Sequence, residues 1–340
     1  MHCHLTIAVL ALLPTGLLAA AQEQHPADAA RIRARVEMVS VDVSVFDARG
    51  SFVRGLTREN FRIFDEGIER PLTHFAPEEA PARVLLLVET SPAVLLLRRD
   101  HLLAAIALVE GLAPGDWVGL ATYDESPRLL LPLTQNKAAV AAALGSLTYT
   151  LGMTQLRMHA SLATVLDWLE PAPGKKAVVL VSTGLDTDAP AAFESVIQKL
   201  RSSEAAIYAV ALGGDLRRPA ASKQRGKQPR EPTAAPGSEL SFARADRELA
   251  ELAEASGGAV FFPRNTEHLQ TIFREVAARL RHQYSLGFAP AVRDGSFRRI
   301  EVHVVDAQGR VQARQEYGAK AARTAWRVRA RPGYTAPGPE

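Results

Sequence analysis

Cysteine is almost missing from this chain of 340 residues: the one thiol, Cys3, sits in an N-terminal stretch that reads as a removable leader. A mature chain would then hold no disulfide, no thiolate metal ligand and no cysteine nucleophile. Aromatic residues make up only 6%, against 47% hydrophobic residues overall, so the core must be built from Leu, Val and Ala. There is enough of them to exclude global disorder. A surplus of one charge is also missing. The 40 Lys and Arg face 37 Asp and Glu, a net of +3, which is too little to imply a nucleic-acid partner. Beyond the leader no apolar run reaches the ~18 residues that a membrane span needs.

Catalytic signatures are lacking too. There is no His-Glu-x-x-His helix, no phosphate loop ending in Gly-Lys-Ser/Thr, no Gly-x-Gly-x-x-Gly and no Gly-x-Ser-x-Gly elbow. The histidines after the leader are scattered singly. His101 and His159, placed in helices near the expected site, are the two worth following, although neither has a carboxylate or serine at a defined offset, and both read as ordinary helix-surface residues. Asp124-Glu125 is an acidic pair, but neighbours on a turn point apart. No enzyme is expected.

The leader comprises residues 1–21. Leu5 to Leu18 is apolar, Ala19-Ala20-Ala21 supplies small residues for cleavage, and Gln22-Glu23-Gln24 follows. The n-region carries His2 and His4 but no Lys or Arg, and Pro14 and Gly16 interrupt the run, which disfavours a membrane anchor. The product is expected to be exported, periplasmic or extracellular.

A length of 340 residues suits two domains, or one inserted in another. After a linker (22–30), a β-rich segment is expected over 31–80. Val39, Val41, Val43 and Val45 alternate with Ser40, Asp42 and Ser44, the pattern of a strand with one apolar face. From Arg83 the texture changes. Unbroken apolar runs at Val84–Val88, Val118–Thr122, Ala177–Val181, Ile207–Leu212 and Val260–Phe262 alternate with helical stretches at Leu97–Leu112, Lys137–Leu147, Gln155–Leu169, Ala191–Glu204 and Ala243–Ala255. Strands covered on both faces and separated by helices predict an α/β domain over 81–281, a Rossmann-like, doubly wound, mostly parallel sheet. Arg128–Leu133 is expected as an antiparallel edge strand. Residues 213–238, rich in Pro, Gly, Arg and Lys, read as a flexible basic loop. Leu269, Ile272, Phe273, Val276 and Leu280 fall on one helical face, with Glu267 and His268 beside it facing solvent. A second β-rich segment spans 282–334, including Ile300, Val302 and Val304, with a tail over 335–340. The two β-rich segments are expected to pair into a small sandwich.

In order along the chain stand VSVFDARGSFVRGLTRENFRIFDEG, THF, VLLLVETS, GDWVGLATYDESPRLLLPLT, GMTQL, KKAVVLVSTGLDT, LAEASGGAVFF, RHQYSLGFAP, FRRIEVHVV and RARPGY. Together these landmarks resemble the von Willebrand factor A-related domain family of acidobacterial-type secreted proteins, over nearly the whole mature chain. The resemblance implies ligand docking beyond the carboxyl ends of the strands, where strand order reverses. It also implies a site at which relatives hold a divalent ion through Asp-x-Ser-x-Ser, a loop Thr and a further Asp.

Matched residue by residue, that site reads as degenerate. The first segment is Glu89-Thr90-Ser91-Pro92-Ala93: the lead Asp is a Glu, Ser91 is kept, and Ala93 has no oxygen. Thr154 matches the loop Thr. The later Thr-Asp-Gly becomes Ser182-Thr183-Gly184, so an acid is lost. Asp186 could replace it by swinging in, but it equally suits a turn bonded to its own backbone, and Asp188 suits a helix cap. Mg²⁺ wants near-octahedral hard oxygens, so no cofactor is expected; any ion would be held by Glu89, Ser91, Thr154 and Asp186. The expected function is an adhesion-like module binding an unknown protein partner through the rim formed by Glu89, Ser91, Asp124, Thr154, Thr183 and Asp186. The alternative is a structural cell-envelope component assembled through its β-rich segments. An exported hydrolase comes third.

Overall fold

A computed structural model describes residues 38–77, 81–152, 155–213, 242–263, 266–315 and 325–339. The leader, the linker, most of the basic loop and Thr154 lie outside the described residues.

Alternation decides the first strand, β1 (Val39–Asp47): Val39, Val41, Val43 and Val45 are buried in one core. A 3-10 turn at Arg58–Asn60 leads into β2 (Phe61–Asp65), the tight turn Glu66-Gly67, and β3 (Ile68–Arg70), followed by β4 (Leu72–Ala76). Gly67 has φ +77°, which a residue with a Cβ adopts only with strain. The α/β layer then runs β5 (Arg83–Glu89), α1 (Arg98–Gly111), β6 (Trp117–Tyr123), β7 (Pro127–Thr134), α2 (Lys137–Gly145), α3 (Met158–Leu169), β8 (Lys176–Ser182), α4 (Pro190–Ser202), β9 (Ala205–Ala211), α5 (Phe242–Ser256), β10 (Ala259–Phe261) and α6 (Thr266–Arg281). The chain closes with β11 (Tyr284–Phe288), β12 (Phe297–Val305), β13 (Val311–Arg314), β14 (Trp326–Arg329) and β15 (Gly333–Thr335).

The central sheet has the order β10-β9-β8-β5-β6-β7, parallel throughout except for β7, which pairs antiparallel with β6 as its sequence predicted. Its strands are apolar on both faces because helices cover both. Leu108 of α1, Leu144 of α2 and Phe273 of α6 pack on one face; Leu162 of α3, Phe193 of α4 and Leu252 of α5 pack on the other. From β5 the chain crosses to β6 on one side, and from β8 to β9 on the other. Strand order therefore reverses between β5 and β8, and the crevice beyond their carboxyl ends is where ligands dock in such sheets.

The terminal segments pair as expected. One antiparallel sheet has the order β14-β1-β11-β4, the other β13-β12-β2-β3 with β15 beside β12. Their inner faces share one core, in which Val41, Val43, Leu286 and Phe288 meet Ile63, Ile300, Val302 and Val304. β4 pairs with β11 rather than folding back on β2, so strands distant in sequence complete the sandwich.

Candidate functional site

Glu89 closes β5, Tyr123 closes β6 and Ser182 closes β8, so three neighbouring strands end at one level. Glu89 is fully buried there, and its carboxylate is surrounded by donors. Ser91 Oγ donates to Oε1 at 2.5 Å. Oε2 accepts from Thr183 N at 2.6 Å and from Thr183 Oγ1 at 2.8 Å, and lies 3.1 Å from Ser182 Oγ and 3.2 Å from Tyr123 OH. The Ser182 and Tyr123 hydroxyls are 2.6 Å apart, so one of their protons serves that bond and the other reaches the carboxylate. A buried carboxylate must be matched by such donors, since a buried unpaired charge costs several kcal/mol or more. Burial first, then the Glu89 charge, holds the Tyr123 phenol well above its ordinary value.

The extra methylene of glutamate carries its carboxylate from the central strand to the first residue past β8. Glu89, Ser91 and Thr183 thus converge directly. Tyr123 and Ser182 complete the group, and sequence reasoning did not include them. Their signal was available: both end apolar runs at the level of Glu89.

Asp124 and Asp186 are engaged elsewhere. Asp124 Oδ2 accepts from Thr150 Oγ1 at 2.5 Å and from Arg128 Nη2 at 3.0 Å, and Oδ1 accepts from Glu125 N. Burial pushes this carboxyl up, but the Thr150 and Arg128 bonds outweigh it and leave it below the ordinary 3.8. Asp186 Oδ1 accepts from Asp188 N at 2.6 Å, the turn expected of it, while Oδ2 accepts from His159 N at 2.8 Å. Its carboxyl too is low: burial raises it, and the bonds and charge of His159 overcome that. Asp188 does not cap α4, whose N-cap is Ala189 without a side-chain bond; it pairs with Arg157 at 2.9 Å instead.

His159 departs from its expected surface position. It is fully buried, with Nδ1 3.2 Å from Asp186 and Nε2 3.4 Å from Glu248, ion-pair distances off the line of a straight hydrogen bond. Arg244 Nε in turn donates to Glu248 at 2.7 Å. The helix start at Met158 turns His159 inward beside Phe193. Sequence spacing gave no hint, because the two acids come from a loop and from α5. The side chain of His101 is not among those described.

The expected rim is therefore a buried network. Glu89, Ser91, Thr183, Asp124 and Asp186 all lie beneath the surface, where their side chains cannot reach a partner directly. The physical reason is that each carboxylate is satisfied from within: Glu89 by the hydroxyls of Ser91 and Thr183, Asp124 by Thr150 and Arg128, and Asp186 by the His159 backbone. Around them Ala93, Glu125, Leu151, Gln155, Arg157 and Thr187 are exposed, Leu151 by 79%. Residues for a hard divalent ion fit poorly. A single carboxylate stands at the crevice with both oxygens bonded, Ala93 offers no oxygen, and Asp186 is turned to His159. Among the described residues, no three His, Cys, Asp or Glu are grouped so as to hold a metal, and no helix is long and apolar enough to cross a membrane.

A model of the von Willebrand factor type A domain matches residues 99–275, just over half of the chain. The match includes Asp124, Thr183 and Asp186 and begins after Glu89 and Ser91. A von Willebrand factor type A protein from Catenulispora acidiphila is similar in structure at 16% identity, over 73% of this chain and 72% of that one, with a TM-score of 0.47. An aerotolerance-related membrane protein from Bacteroides fragilis has 17% identity over 58% of this chain and 99% of its own, TM-score 0.43. The conserved protein BatB of Bacteroides thetaiotaomicron has 15% identity over 58% and 98%, TM-score 0.43. No curated protein sequence matches the chain.

Proposed function

The chain belongs to the von Willebrand factor type A domain family, and on that premise we propose an exported, non-enzymatic interaction module that holds a protein partner at its strand-end face without a divalent ion. The observation carrying this reading is the Glu89 carboxylate, bonded by Ser91 and Thr183 and approached by Ser182 and Tyr123. It ties the loops after β5, β6 and β8 together from within, the task a cation would otherwise perform. The buried acids then shape the face, and the exposed residues around them, Leu151 and Arg157 foremost, make the contacts.

A non-enzymatic role is favoured because His159 is fully buried between Asp186 and Glu248, where a nucleophile at the surface does not reach its ring. Export rests on the leader, and the acidobacterial-type affiliation rests on the order of the sequence landmarks. A degenerate metal site follows from Glu89, Ala93 and Thr183 standing where Asp, Ser and Asp belong.

Melting the purified protein in Mg²⁺ and Mn²⁺ tests the metal-free reading. The midpoint should stay put in either ion, and saturable stabilisation would overturn it. Capture of a partner from an envelope extract should be unchanged by EDTA and lost in Leu151→Asp. Mass spectrometry of the secreted product should find its N-terminus just past Ala21.

A further inference from the structure

His282 stands at the joint between the α/β layer and the sandwich. It follows α6, its N–H donating to Ala278 O at 3.0 Å, and β11 begins two residues later. The residue is buried, with 7% of its surface exposed. Across it runs a strap, Ser51–Leu56, which lies outside the strands of both sandwich sheets. Val53 N donates to Val45 O at 2.8 Å. Tyr284 OH donates to Val53 O at 2.9 Å and accepts from Leu56 N at 3.1 Å. The Phe52 ring stacks on His282 at 5.2 Å and on Tyr284 at 5.7 Å, with Phe46 edge-on at 6.0 Å. Next along the strap, Arg54 Nη2 lies 2.7 Å from His282 Nε2.

That last contact fixes a protonation state. A guanidinium only donates, and it keeps its charge throughout the accessible pH range. Nε2 must therefore accept through its lone pair, and that nitrogen carries no proton while the contact lasts. A proton placed there takes the lone pair and sets two like charges at hydrogen-bond distance. The elements packed around the ring bring further cations. Arg279 of α6 stacks on Phe46 at 4.6 Å, Arg281 precedes the ring in the chain, and Arg327 of β14 stands opposite Phe46. Lys175, ahead of β8, donates to Gln283 O at 2.7 Å. On α6 and at the end of β1 the acids are engaged: Glu275 bonds Arg279, and Asp47 accepts from the N–H groups of Arg49 and Ser51.

We propose that Arg54 and His282 form an acid-opened latch. Near neutral pH the ring accepts from Arg54 and holds the strap over the joint. On acidification Nε2 takes a proton from solvent, which reaches it from the exposed Arg54 side. The guanidinium is expelled, and the strap lifts to bare the rings of Phe46 and Tyr284. Imidazole is the side chain whose charge ordinarily changes between about pH 5 and 8, and a buried neutral histidine that must charge is a common source of acid instability. None of these residues belongs to the strand-end site, so the latch stands whether or not that reading holds.

Hydrogen exchange of the full chain at about pH 7.5 and about pH 5, corrected for the intrinsic pH dependence of exchange, tests the proposal. The Val53 and Leu56 amides should lose protection tenfold or more at the lower pH, while those of β2 keep theirs. His282→Gln supplies an acceptor that does not titrate, so its strap should be protected equally at both values. Arg54→Met removes the guanidinium, so its strap should be loose already at the higher pH, with no further step. Unchanged protection in the parent overturns the proposal, as does an acid step that persists in folded His282→Gln. Should that variant fail to fold, Arg54→Met decides from its exposed position: an acid step equal to the parent's overturns the latch.

Discussion

Glu89 sits at the centre of the strand-end network. Its carboxylate gathers four side chains and a backbone N–H, so truncation strands several buried donors at once. Glu89→Ala should cost about 3 kcal/mol in urea unfolding; Glu89→Gln should cost about 1 kcal/mol, because the Ser91 hydroxyl can rotate to accept. The acids that flank it have a pH signature. Asp124 and Asp186 are held below the ordinary 3.8, so their stabilising contribution is present above that value and lost as pH falls through their lower folded values. Asp42 has the opposite sign. Its folded value is raised, so its contribution is present below 3.8 and lost as pH rises through the folded value. Melting curves against pH should therefore show Asp42→Asn more stable than the parent at neutral pH, with the gap closing toward pH 4.

At the scale of elements, what matters is which loops the strand ends bind together. The ends of β5, β6 and β8 meet through Glu89 and its hydrogen-bond partners. Glu89→Asp alone should weaken this link and bring no metal response. Glu89→Asp with Ala93→Ser and Thr183→Asp restores hard oxygens from two loops, and melting in Mg²⁺ should then show saturable stabilisation. The turn after α5 is equally specific. Gly257→Ala combines a strained φ with a Cβ 2.5 Å from Arg331 N, and should cost about 2 kcal/mol by denaturant unfolding.

Over the whole molecule, the sandwich is made from both ends of the chain around an α/β insertion. β1 lies between β11 and β14, so it has no sheet neighbour from its own segment along most of its length. A chain ending after Arg281 keeps every strand of the parallel sheet but strips β1 of both partners and exposes Val41, Val43 and Val45. Limited proteolysis should cut that chain within Val39–Asp47, where the full chain resists. Protection of this segment in the shortened chain would contradict the topology.

Periodicity alone determined the elements. Unbroken apolar runs marked β5, β6, β8 and β9, alternation marked β1 and β12, and their order dictated a doubly wound sheet, because each of these signals lies within a dozen residues. The convergence of Glu89, Ser91 and Thr183 was legible for a related reason: each ends or follows a strand whose level the sheet fixes. The tertiary structure alone decided that His159 is buried between Asp186 and Glu248, that Asp124 turns to Thr150 and Arg128, and that the polar face of β1 closes over Lys175 and Arg331. A carboxylate takes whichever donor folding brings within about 3 Å, and apart from Arg128, four residues from Asp124, those donors stand tens to hundreds of positions away in the chain, where no local pattern records them.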